Sequence, residues 1–221
     1  MCGRFALYEP SDALQEHFNL DQAPTFPANY NIAPGTAILG IVYYENSLAP
    51  MLFRWGLIPH WSKSKQTQYK MINARIETVW DKPSFRSAMR YKRCLIPASG
   101  FYEWKKTGSG KQPYFISVSG SSMFAMAGIW ETWEDKSSGE VIDSCAIVTT
   151  EAQGAVKDIH DRMPVIIDRS GYKNWLDPMV QTRDQLKIYQ VYPALITVWP
   201  VSPKVNNPRN NGPELIQQAG K

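Results

Sequence analysis

The chain has 221 residues, and 24 Lys and Arg against 20 Asp and Glu give it a formal net charge of +4. At 43% hydrophobic and 20% charged it is neither disordered nor fibrous, and it is long enough to bury a substantial core. Three cysteines, Cys2, Cys94 and Cys145, are an odd number without short spacing, which excludes a disulfide framework and a cysteine metal quartet.

In chain order, Ser11-Asp12 followed by Ala13, Leu14, His17 and Phe18 reads as a capped short helix. Ala37–Tyr44 and Pro50–Trp55 flank Glu45-Asn46 as a strand pair, and Gly56–Gln68 is a loop carrying Trp61. Ile72–Glu77 is short and mixed, and Lys82–Arg90 suits a helix with Pro83 in its first turn. Arg93–Ile96, Tyr102–Lys105, Tyr114–Val118, Met123–Trp130 and Ser144–Thr150 follow as short strands between glycine-marked turns. Glu151–Ile159, Ser170–Trp175 and Arg183–Val191 are helix candidates, the last the best of them. Leu195–Val201 is a final strand before a polar tail. With no fixed-period repeat and no linker, the expectation is one α+β domain over residues 1–221, mostly antiparallel strands with peripheral helices.

No apolar run approaches the ~20 residues of a membrane span, and no secretory signal precedes Cys2. A cytoplasmic protein in a reducing compartment is therefore expected, with a polyanionic partner permitted by its charge.

Four stretches carry chemistry. In Met1-Cys2-Gly3-Arg4-Phe5, removal of Met1 would leave Cys2 with an α-amine and a thiol on adjacent carbons. An α-amine of pKa about 7.7–8.0 is roughly a tenth to a fifth neutral at pH 7, so it can attack an aldehyde without deep burial. The plain alternative is a start codon before an ordinary small residue.

In Asn73-Ala74-Arg75-Ile76-Glu77, three polar side chains alternate and would share one face of an extended segment; a solvated strand edge has the same pattern. Glu103, in Phe101-Tyr102-Glu103-Trp104, has neighbours that could desolvate it and raise its pKa, although two lysines close by also suit a surface glutamate. His160 lies among Asp158, Asp161 and Arg162 just before Pro164, and histidine suits proton transfer near pH 7.

Taken together these stretches resemble one family, the SRAP (SOS-response-associated peptidase) proteins. The matching stretches are Met1–Phe5, Tyr30–Pro34, Trp55–Pro59, Ile72–Arg75, Phe101–Lys105, Ile159–Pro164 and Asn210–Ile216. The resemblance implies a sensor of abasic sites in single-stranded DNA, monomeric, free of cofactor and metal, and associated with the nucleoid when bound. It implies that the Cys2 amine forms an imine with the open-chain sugar aldehyde and that the thiol closes a thiazolidine. It gives Glu103 sugar-ring opening and proton transfers, His160 acid–base work, and Asn73 the holding of amine and sugar. Arg4, Arg75 and Arg162 are implied at phosphates, Trp61 against a base, and Asn31 and Pro34 along the strand.

Other chemistries remain open. Glutamine amidotransferases also begin Met-Cys-Gly, with the thiol attacking an amide and the α-amine as base, but the remaining elements of that site are not found. Cys2 with His160 and Asn73 or Glu103 could instead form a peptidase triad acting on the Met1–Cys2 bond. A non-enzymatic DNA-binding module is the remaining alternative.

Overall fold

In a computed structural model, residues 2–65, 71–108, 110–188 and 190–220 are described. The expected features at Met1, Ser109 and residues 66–68 lie outside them. The strands are β1 (Phe5–Leu7), β2 (Asn29–Ile32), β3 (Ala37–Tyr44), β4 (Ser47–Trp55), β5 (Asn73–Arg75), β6 (Arg93–Ala98), β7 (Gly100–Thr107) and β8 (Gly110–Val118). They continue with β9 (Phe124–Glu134), β10 (Val141–Glu151), β11 (Arg162–Pro164), β12 (Ile166–Ile167) and β13 (Ile196–Pro200). The α-helices are α1 (Ser11–Phe18), α2 (Arg86–Tyr91) and α3 (Tyr172–Leu176).

One sheet has the order β13-β8-β7-β1-β2. In the other, β10, β4, β3, β6 and β9 pair in turn and β9 returns to β10, closing a small barrel. Pairing is antiparallel except where β10 meets β4 and β5. The fold is thus β-rich α+β, as the strand pattern predicts. Among the described residues no helix is long and apolar enough to cross a membrane.

Local chemistry explains several joints. Glu45 and Asn46 adopt φ of 46° and 66°, the two left-handed residues that a two-residue hairpin turn between twisted strands requires. At Gly100 a Cβ would sit 2.1 Å from the Phe115 ring, so only glycine lets β7 begin across that side chain.

Period-two alternation divides the five-stranded sheet between two cores. Phe5, Phe101 and Ile116 face the main core, while Ala6, Tyr102 and Phe115 face a smaller cluster. Phe5 meets Trp55 of β4 edge-on at 5.2 Å, joining that sheet to the barrel.

The smaller cluster is closed by Val201, Val205 and Leu215, so the expected polar tail is a packed C-terminal segment. Asn31 ties it down: Nδ2 donates to the carbonyls of Val205, Asn207 and Asn210 at 3.3, 3.0 and 2.8 Å. The tail looks polar in sequence because only every few residues is apolar.

Three helix expectations change: the helix expected over Lys82–Arg90 forms only from Arg86, with Pro83 in a preceding turn, and two other segments form no α-helix. The segment Glu151–Ile159 holds a 3-10 turn at Gly154–Asp158. Arg183–Val191, where Tyr189 lies outside the described residues, has a single turn and no helix. There the Gln185 side chain accepts from the Gln181 and Thr182 amides, and the Val191 amide donates to Ile166 O. Side-chain and edge-strand bonds thus replace the helical ladder.

Candidate functional site

The N-terminal segment is registered on β7 by the Tyr102 amide, which donates to Arg4 O at 2.9 Å. Cys2 is fully buried in the main core. Alternation along β7 turns Glu103 to the same side as Phe101, and Glu103 is only 2% exposed. From the barrel, β5 lies parallel to β10 with Asn73 opposite Ile147 and Ala74 buried beneath. Asn73 Nδ2 donates to Cys2 O at 2.8 Å, and Asn73 Oδ1 is buried without a hydrogen-bond partner among the described residues. An orphaned acceptor beside Cys2 is a place for an incoming donor.

His160 follows the 3-10 turn, its amide donating to Val156 O at 3.0 Å. Its Nδ1 accepts from the Arg162 amide at 3.0 Å, which leaves the proton of the neutral ring on Nε2. Nε2 lies 3.9 Å from Glu103 Oε2. The Asp161 carboxylate, 2.8 Å from Nδ1, supplies a partner for the charged ring. The ring thus stands between two carboxylates, a placement suited to an acid–base group.

Burial holds the Glu103 carboxyl above the ordinary carboxylate range even with His160 alongside. Burial also pushes the Cys2 thiol far up, and the charge of Glu103 adds to the effect. The site therefore favours a neutral thiol and makes the Glu103 carboxyl a weaker acid than an exposed one.

A cavity of about 370 Å³ opens beside His160, lined by Arg75, Glu151, Lys157, His160, Asp161 and Arg162. Arg162 is 8% exposed; Glu77 grips its guanidinium at 2.8 and 2.9 Å, and Nη2 also donates to Thr149 O at 2.8 Å. This hydrogen bonding lowers the Glu77 pKa. Arg162 Nε is buried with no partner among the described residues. Arg75 is exposed at the cavity wall and forms no ion pair among the described residues.

The remaining predicted residues lie elsewhere. Arg4 Nη1 donates to Asn31 Oδ1 at 2.7 Å and Val205 O at 2.8 Å. Asn31 is 4% exposed, and both amide atoms of its side chain are engaged, holding the C-terminal segment in place. Pro34 is half-buried in the β2–β3 connection. Trp61 is 57% exposed on a loop pinned by His60 against buried Glu131 and by Trp133 Nε1 donating to Ser62 O at 2.7 Å.

Sequence reasoning missed the Glu77–Arg162 clamp. Glu77 was expected to extend the face of Asn73 and Arg75, but β5 stops at Arg75 and a turn carries Glu77 onto Arg162. Glu151 was missed as well; Lys157 stood in the charged stretch around His160, which was its signal.

The family model described as SOS response associated peptidase (SRAP) matches residues 1–208. The chain is 43% identical over 223 residues to abasic site processing protein YoqW of Bacillus subtilis (strain 168), covering 98% of this chain and 99% of that protein. It is 38% identical over 196 residues to abasic site processing protein HMCES of Xenopus tropicalis, covering 78% of this chain and 57% of that protein. A crystal structure of a protein from Bacteroides thetaiotaomicron matches with a TM-score of 0.85 and 26% identity, covering 99% of this chain and all of that one. A crystal structure of a phage-related protein from Bordetella bronchiseptica matches at 0.72 with 30% identity, over 90% of this chain and 94% of that one.

Proposed function

The chain belongs to the SRAP family, and from that premise we propose that it is an abasic-site processing protein that crosslinks itself to the lesion through Cys2. The observation that carries this reading is the buried Cys2, bonded to Asn73, with the buried Glu103, its pKa raised, near His160. The relatives named as abasic site processing proteins supply the target, an abasic site in DNA.

Once Met1 is removed, the Cys2 α-amine adds to the open-chain sugar aldehyde. Glu103 acts as the acid in sugar-ring opening and in the loss of water that gives the imine. The thiol then adds across the C=N bond: sulfur bonds to the former aldehyde carbon, and the thiol proton ends on nitrogen. The product is a five-membered thiazolidine, formed with net loss of one water. His160 moves protons at nitrogen, and Asn73 Oδ1 receives a hydrogen bond from the amine or the sugar.

Arg75 offers a donor for a flanking phosphate at the cavity, where Arg162 also lines the wall. Arg4 holds the C-terminal segment through Asn31 and Val205, and exposed Trp61 is a stacking platform for a neighbouring base. The chain acts as a monomer, and an imine that β-eliminates before the thiol closes gives a lyase side reaction. A hydrolytic reading needs a more easily formed thiolate than this burial favours.

The test mixes Met1-processed protein with single-stranded DNA made abasic by uracil excision. A heat-stable shifted band is expected, with no glutamine hydrolysis. Glutaminase activity without a band would overturn the reading in favour of an N-terminal-nucleophile hydrolase.

A further inference from the structure

The turn after β5 leads into a helical stretch whose charges are not explained by the Cys2 site. The Arg86 amide donates to Lys82 O at 2.9 Å, closing a turn over residues 82–86 that leads into α2. Arg86 and Arg90 stand four residues apart on one face of α2, about 6 Å along its axis, and Lys82 lies on the turn that leads into them. All three are exposed.

Among the described residues none of the three is in an ion pair, whereas Lys65, Lys92, Arg162 and Arg183 each are. No acidic residue lies between Lys82 and Arg90 to neutralise them. Two of these cations sit at the N-terminal end of the helical stretch, where the helix dipole disfavours positive charge. Helix stability therefore accounts for Arg90, in the last turn of α2, but not for Lys82 and Arg86.

The ridge also connects to the cavity beside His160. Arg183 donates to Glu77 O at 3.3 Å and pairs with Asp81 at 3.0 Å, while the Glu77 carboxylate grips Arg162. A second cavity, of about 460 Å³, is lined by Trp80, Asp81, Arg90, Tyr91 and Arg183. Tyr91 is 59% exposed there and presents an unpaired ring beside the cations. Cations spaced like successive phosphates, with an aromatic face at one end, are the features a nucleic-acid strand needs.

We propose that Lys82, Arg86 and Arg90 form a phosphate-tracking ridge for the DNA flanking the lesion, with Tyr91 stacking on a base. This rests on the reading of the chain as a protein that acts on DNA. The ridge lies outside the Cys2 chemistry and holds the strand as it leaves the site.

The test measures reversible binding to long undamaged single-stranded DNA across salt concentrations, where no crosslink can form. Each phosphate contact on a single strand contributes about 0.7 to the slope of log affinity against log salt. The K82Q/R86Q/R90Q variant is expected to flatten the slope by about 2, and the charge-preserving K82R/R86K/R90K variant to keep it. Crosslinking to a short abasic oligonucleotide that does not reach the ridge should be unchanged in both variants. An unchanged slope in the neutral variant, or loss of slope in the charge-preserving one, would overturn the proposal. Failure of the unmodified protein to crosslink, with the slope change intact, would remove the Cys2 chemistry and leave the ridge standing.

Discussion

Replacing Cys2 with alanine is expected to reduce the heat-stable DNA crosslink to background. Removal of Met1 from this variant still exposes an α-amine, so imine formation with the abasic aldehyde survives. The thiol that would close the ring is gone, and the imine returns to amine and aldehyde on heating in water. Borohydride, which reduces the imine to a stable secondary amine, should still trap the variant on abasic DNA. Undamaged single-stranded DNA should bind with unmodified affinity, which serves as the control for folding. A heat-stable band formed by the alanine variant without borohydride would exclude the thiazolidine.

The second large effect is expected at Glu103, where rate and stability should move in opposite directions. Glu103→Gln removes a positioned acid and should slow crosslinking by about 10²–10⁴-fold. The unmodified protein should lose rate on the alkaline side of its profile as the raised Glu103 carboxyl gives up its proton, and the glutamine variant should lack that decline.

Stability follows from the direction of the shift. The folded carboxyl binds its proton more tightly than the unfolded one, so raising the pH favours the unfolded state across the interval between their two pKa values. From about pH 4.3 upward the unmodified protein therefore loses stability that the uncharged glutamine retains. Thermal unfolding measured against pH should show the variant more stable than the parent near neutral pH. A variant less stable than the parent there would contradict the burial argument.

What was legible in sequence divides by the range of the interaction. The β3–β4 hairpin could be read because its turn and both alternating runs are local. Glu103 could be singled out because its own neighbours, Phe101, Tyr102 and Trp104, announce its desolvation, and His160 because its charged surroundings are contiguous. Cys2, Asn73, Glu103 and His160 come from four separate segments, and the structure brings them to one junction between the two sheets.

Residues whose roles depend on distant partners were harder to read. Asn31 Nδ2 has its acceptors more than 170 positions away, in a segment that looks like a tail. Arg162 is committed to Glu77, 85 positions distant, which nothing in the stretch around His160 suggests. Arg183–Val191 has helical spacing, but the edge of β12 and a glutamine side chain supply the bonds a helix would have made. The cationic ridge was half visible: a helix over Lys82–Arg90 could be expected and forms from Arg86 on, but the lack of ion pairs could not be read.

The central claim is that the Cys2 amine and thiol together become part of the crosslink, and mass analysis of the digested adduct reads this directly. After protease and nuclease digestion, the account predicts a modified peptide that begins at Cys2 and lacks Met1. It should carry the sugar remnant with net loss of one water, and its thiol should no longer react with an alkylating reagent. An adduct on a lysine side chain, or on a peptide that still begins with Met1, would contradict it.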